Sequence, residues 1–214
     1  MEITYIGHSC FKIKGKELTL VIDPYDPKEA GYKLPKLEAD VLLLSNSEDT
    51  STKSSVSGVR LLIDAPGEYE TKGTFVYGIE TFRDKKEGAE RGKNIMYLIE
   101  MEGFNILHTG DLGHDLSKET LERIPNVDVL LVGVGGAGSI DAEGASDIIS
   151  ELEPGIVIPM HYNENDETSK LDKLDKFLKE MGADDKAKNE DKLKLTNKID
   201  IPEETSVVVL APQH

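Results

Sequence analysis

Two residues of this sequence stand where a fold commonly presents reactive groups. Asp111 lies in HTGDLG, where glycines let a ligand approach the backbone, and His161 follows the apolar run IVIPM. A carboxylate and an imidazole at the carboxyl ends of strands can bind a divalent metal or move a proton. Glu68 follows Pro66-Gly67 in a tight turn, His8 sits beside Gly7 between the first two strands, and Asp23 joins a buried strand to Pro24. Each also has a structural reading. Asp111 can accept amides of its own turn, His161 can be a hydrogen-bonded strand-end histidine, and Asp23 can shape a turn. There is no G-x-S-x-G elbow. The GVGGAG segment at 133–138 could cradle an anion at the start of the next helix or simply pack closely. It has neither dinucleotide spacing nor the Lys-Ser/Thr of a phosphate loop. Cys10, two residues past His8, makes a Cys/His nucleophile pair conceivable, but no third orienting group is evident.

Bulk properties exclude several partners. The chain has 214 residues, a net charge of -16 and no tryptophan, which opposes nucleic acid and anionic membranes alike. No apolar run approaches the ~20 residues that span a bilayer. The start, MEITYIGHSC, lacks the basic and apolar regions of a secretion signal. One cysteine excludes an internal disulfide and suits a cytoplasmic location.

The candidates depend on elements that can position them. Alternation and β-branched residues predict strands over 2–6, 10–14, 18–22, 41–44, 60–63, 74–79, 94–101, 105–108, 129–132, 156–159, 192–195 and 206–210. Helices are expected over 117–123, 142–152 and 168–181, the last with Leu171, Leu174, Phe177 and Leu178 on one face. Strands first and β-α-β alternation later imply an α/β protein of mixed sheets. The polar segment 80–93, ETFRDKKEGAERGK, reads as a loop. Lys12, Lys14 and Lys16 share one strand face, which reads as a solvated edge.

The segments ITYIGHSCFKI, LVIDPY, IDAPGEYE, ILHTGDLGH and IVIPMHY, in this order, resemble successive motifs of the metallo-β-lactamase-fold hydrolases, especially their small lactonase-like branch. The resemblance implies one domain over 1–214, an αβ/βα four-layer sandwich of two mixed sheets flanked by helices, with the site along one edge. It implies Asp111 as a metal-bridging carboxylate and His161 as a ligand. Glu68 stands where many relatives have His, and Asp23 organises the loop. In that family the loop after the strand at 41–44 reads S-H-x-H-x-D-H and supplies most metal ligands. Here SNSEDTS places Asn46, Glu48, Thr50 and Ser51 at those positions. The expectation is a homologue without hydrolytic activity that binds a small molecule or protein in a cleft lined by His8, Asn46, Ser51, Gly135 and Gly136. The alternative is a weak hydrolase with one zinc or other divalent ion on Glu48, Glu68, Asp111 and His161. Without metal, Glu48, Glu68 and Asp111 would face one another. One should then titrate high, anions should be repelled, and an amine ligand or an Arg or Lys from 80–93 should relieve the repulsion.

Overall fold

The computed structural model describes residues 1–46, 52–164 and 169–214, and of Glu29 only the backbone. Glu48, Thr50 and Ser51 lie outside the described residues. A six-stranded sheet runs in the order Leu193–Lys194, Glu2–Gly7, Cys10–Lys14, Thr19–Ile22, Val41–Leu43, Leu61–Ile63. Its first four strands pair antiparallel and its last three parallel. An eight-stranded sheet repeats this plan. Gly67–Thr71, Thr74–Phe82, Lys93–Met101 and Phe104–His108 form an antiparallel meander. Val129–Gly133, Ile156–Met160, Ser206–Leu210 and Lys188–Glu190 continue it in parallel. Leu37–Glu38 and Val56–Ser57 pair separately.

The strands are apolar on successive residues because both of their faces are covered. Ile3, Tyr5, Phe11, Ile13, Leu20, Ile22 and Leu43 point inward toward the face of the second sheet that carries Tyr97, Ile99, Ile106 and Leu131, in one continuous core. The alternate residues Cys10, Val21, Leu42 and Leu44 form a second cluster with Tyr25, Leu37, Ala39 and Val56. Irregular chain and the short helix Pro27–Ala30 therefore contribute to the outer layer of the first sheet. Between the sheets, the Tyr97 hydroxyl reaches the carbonyls of Leu44 and Ile63 at 2.7 and 2.9 Å. Among the described residues no helix is long and apolar enough to cross a membrane.

The helix Ala142–Leu152 agrees with its expected span and is capped by Asp141, whose carboxylate accepts the Gly144 N–H. The helix expected over 168–181 is shorter, Leu174–Glu180. Tertiary bonds override its periodicity. The Asp172 N–H donates to the Gly135 carbonyl at 2.8 Å, Asn163 and Lys173 form a β-bridge, and Lys173 is extended. Leu171 is thereby held against the turn at Gly135 rather than on a helix face. The strand Gly67–Thr71, unexpected from its polar sequence, folds back on Thr74–Phe82 through Lys72 and Gly73, both left-handed. Lys12 and Lys14 line a concavity with Glu38, Asp40 and Arg60, on a strand paired on both sides rather than at the expected edge.

Candidate functional site

Parallel strands of both sheets end on one cleft of about 310 Å³. Asp23 follows Thr19–Ile22, Asn46 lies just beyond Val41–Leu43, Asp111 follows Phe104–His108 and His161 follows Ile156–Met160; all four line the cleft. His8 and Ser9 enter from the turn between the first two strands. The backbones of His8, Asp23 and His161 are left-handed, with φ of 56°, 44° and 52°. Non-glycine residues are uncommon in that region, and such residues gather at binding sites. The two histidine turns are tied together. The His161 N–H donates to the His8 carbonyl at 2.7 Å, and the imidazoles lie 4.5 Å apart. Glu164 supports the His8 turn by accepting its N–H at 3.2 Å.

Asp111 is the centre of charge. Arg83 Nε and Arg91 Nη2 donate to its Oδ2 at 2.8 and 3.0 Å, and the Ser139 hydroxyl donates to its Oδ1. The Asp111 N–H is held by Asn94 Oδ1 at 2.8 Å, and Asn94 Nδ2 donates to Thr81 and Thr109. Burial is the largest influence on the Asp111 carboxyl and pushes its pKa up. His161, Ser139 and the two guanidiniums together outweigh burial and hold it below the ordinary value. His8 is pushed down to about 4, by burial first and then by His161. His161 is also lowered, chiefly by burial, so both imidazoles are neutral at pH 7. His108 is a core histidine, its Nε2–H donating to the Ser9 carbonyl while Nδ1 accepts the Gly110 N–H.

Among the described residues, two buried atoms in the cleft have no hydrogen-bond partner, Asp23 Oδ2 and His161 Nδ1. Asp23 Oδ1 accepts the Ser45 N–H at 2.7 Å, the loop-organising role implied by the resemblance. Burial raises the Asp23 pKa against the opposing effects of His108 and Ser45. A carboxyl raised by folding binds its proton more tightly in the native state. Stability therefore falls as pH rises from the unfolded value toward the folded one. Asp23→Asn keeps the Ser45 acceptor and suits a left-handed backbone. At pH 7 it is expected to stabilise the protein, with the difference closing below about pH 4. Urea unfolding at the two pH values measures this. An equally large gap at both pH values would contradict it.

The arginines come from residues 83–92, between the strands Thr74–Phe82 and Lys93–Met101. Asp84, buried in that turn, accepts the N–H groups of Lys86, Gly88, Glu90 and Arg91. Arg83 Nη1 donates to the Arg91 carbonyl and Arg91 Nη1 to the Arg83 carbonyl, so each holds the other's backbone. His114 Nε2 accepts the Phe82 N–H at the base of the turn. From the sequence, residues 80–93 are expected to offer a compensating Arg or Lys, with neither Arg83 nor Arg91, nor Ser139, singled out. The two arginines in a Gly-containing charged loop were the available signal.

Other expected site residues lie elsewhere. Glu68 is exposed and lines a different concavity with Tyr77, Glu100 and Arg123, because the hairpin Gly67–Phe82 carries it along the sheet edge. Gly135 and Gly136 serve close packing. A Cβ on Gly135 would stand 2.2 Å from the His161 carbonyl oxygen, and one on Gly136 would meet Asp141. No anion cradle forms at the following helix, since the Asp141 carboxylate already accepts the Gly144 N–H. Cys10 is fully buried in the outer cluster, and burial raises its thiol pKa, so it is no partner for His8. Of the three carboxylates expected to crowd one another, only Asp111 lies in the cleft among the described residues, and it is paired with arginine. The carboxyl that titrates high is Asp23. An amine preference is therefore not supported.

A metal does not fit the described residues. Each Asp111 oxygen already accepts from donors of the chain itself, and His161 Nδ1 is 3.9 Å from Oδ1. An ion bridging them would displace Ser139 and stand beside two guanidiniums. Among the described residues no three His, Cys, Asp or Glu side chains group as ligands.

A family model described as the beta-lactamase superfamily domain matches residues 2–161. A UPF0173 metal-dependent hydrolase of Thermoplasma acidophilum is 29% identical, over 76% of this chain and 84% of that protein. A candidate Zn-dependent hydrolase of the metallo-beta-lactamase superfamily from Thermotoga maritima superposes with a TM-score of 0.78 at 34% identity, covering 98% of this chain and 97% of that one. The metallo-beta-lactamase fold protein YhfI of Bacillus subtilis shares the fold at a TM-score of 0.61 and 13% identity, covering 99% and 97%.

Proposed function

The chain belongs to the beta-lactamase superfamily domain family, and from that premise we propose that it binds a small polar ligand in its cleft without metal-driven hydrolysis. The supporting observation is a pair of buried atoms without a hydrogen-bond partner among the described residues, Asp23 Oδ2 and His161 Nδ1, on left-handed backbones in a formed cavity. An unsatisfied buried polar atom costs about 1–3 kcal/mol, and a ligand that supplies the missing hydrogen bonds recovers part of it. Hydrolysis on this fold draws on a metal to lower the pKa of water. The substitutions Asn46, Glu48, Thr50 and Ser51 remove the imidazoles that would hold it, so a divalent ion such as zinc binds weakly in this reading. The continuous core supports a single domain over 1–214, and the lone buried cysteine suits the cytosol.

The competing reading, a one-ion hydrolase on Glu48, Glu68, Asp111 and His161, is favoured by the names of the relatives. It loses Glu68 to the other concavity. A thermal-shift screen of compact polar compounds in the presence of chelator separates the two. The binding reading expects a compound that raises Tm by several degrees at about 100 times its Kd, with the effect lost in His161→Phe. Hydrolysis of a phosphodiester, lactone or β-lactam by the wild type, abolished by chelator, would overturn it.

A further inference from the structure

We infer that Arg83 and Arg91 are built-in counter-cations for Asp111, holding the place that the resemblance gives to a metal and excluding divalent ions from it. The inference deepens the metal-free reading and rests on it. Three observations converge. The arginines donate to one Asp111 oxygen at 2.8 and 3.0 Å while Ser139 donates to the other, so an ion must compete with donors of the chain itself at either oxygen. Two fixed guanidiniums repel any dication brought to the same carboxylate, and that repulsion is stronger in a partly buried site than in water.

The third observation is that the arginines are positioned by their own scaffold as well as by Asp111. The four backbone N–H groups that donate hydrogen bonds to the Asp84 carboxylate fix the turn. Gly113 sits so close beneath it that a Cβ there would lie 2.1 Å from the Arg83 carbonyl carbon. Gly138 gives Arg91 its space, since a Cβ there would come within 2.9 Å of Nη1. These contacts place positive charge at Asp111 without drawing on any ion.

Isothermal titration with zinc and with manganese, on metal-stripped wild type and on Arg83→Met/Arg91→Met, tests the inference. Circular dichroism and thermal unfolding check that each protein is folded. The double variant is expected to bind at least about tenfold more tightly than the wild type, and adding Asp111→Asn should abolish the gain. Arg83→Lys/Arg91→Lys, which keeps both charges, should show no gain. If the double variant does not fold, Arg91→Met alone must show a smaller gain over wild type. A folded variant with no gain overturns the counter-cation role and leaves the binding reading standing. Sub-micromolar affinity in the wild type overturns both.

Discussion

Asp111→Asn is expected to destabilise the protein by about 2–3 kcal/mol at pH 7. Removing one partner of a buried ion pair typically costs about 3–5 kcal/mol, because the other charge stays behind uncompensated. Here two guanidiniums stay behind. Their side chains are 26% and 30% exposed, against 17% for Asp111, so water recovers part of the loss and the lower figure applies. Asparagine can still accept from one arginine and face Ser139, but it carries no charge. The pH dependence has a definite sign. The Asp111 pKa is depressed by folding, so its contribution is complete above the unfolded carboxylate value of about 3.9 and is lost as pH falls through the lower folded value. The gap between wild type and variant should therefore hold from pH 7 to about 5 and narrow below about 4. Urea unfolding across that range measures it. A gap below about 0.5 kcal/mol at pH 7 would mean that the arginines are effectively solvated and that the pairing carries little energy.

Gly113→Ala should cost about 3 kcal/mol, the upper end of overpacking losses. The atoms in its way are backbone, Arg83 C and O at 2.1 and 2.2 Å and Asp84 N at 2.4 Å, so no side-chain rotation relieves the clash. The Gly113 N–H also donates to the Phe82 carbonyl at 2.9 Å, which fixes the two segments together. The turn at 83–92 must move, and the arginines move with it. Two readouts follow, a lower unfolding midpoint and faster amide exchange at Lys86, Gly88, Glu90 and Arg91, whose N–H groups Asp84 holds. Wild-type stability together with unchanged exchange would show that the turn accommodates the methyl group in place.

Most of the framework was readable because strands buried on both faces write long apolar runs. LVID, VLLL and IVIP mark three of the parallel strands that deliver the cleft, and the residues just after them gave Asp23, Asn46 and His161, while Asp111 was read from the glycine-flanked HTGDLG turn after Phe104–His108. What stayed hidden depends on contacts between distant segments. Periodicity marks Leu171 as a helix-face residue, while the bond from Asp172 to Gly135 keeps that stretch extended. Glu68 follows a Pro-Gly turn like a site residue, yet the edge strand carries it out of the cleft. Arg83 and Arg91 read as solvated charges in a polar insert. Their inward direction is set by Asp84, and one acidic residue among several charged neighbours gives no sign that it will gather four amides. The mutual repulsion expected of Glu48, Glu68 and Asp111 is not observed, since Glu68 lies elsewhere and Glu48 outside the described residues. Asp111 is paired instead with arginines of the chain's own loop.

The most direct test of a metal-free cleft is the metal content of the protein expressed with zinc and manganese in the medium, purified without chelator, and measured by plasma mass spectrometry against protein concentration. The account predicts far less than one ion per chain, unchanged by subsequent chelator treatment. One tightly held zinc or manganese per chain, lost on prolonged chelation together with a fall in Tm, would contradict it.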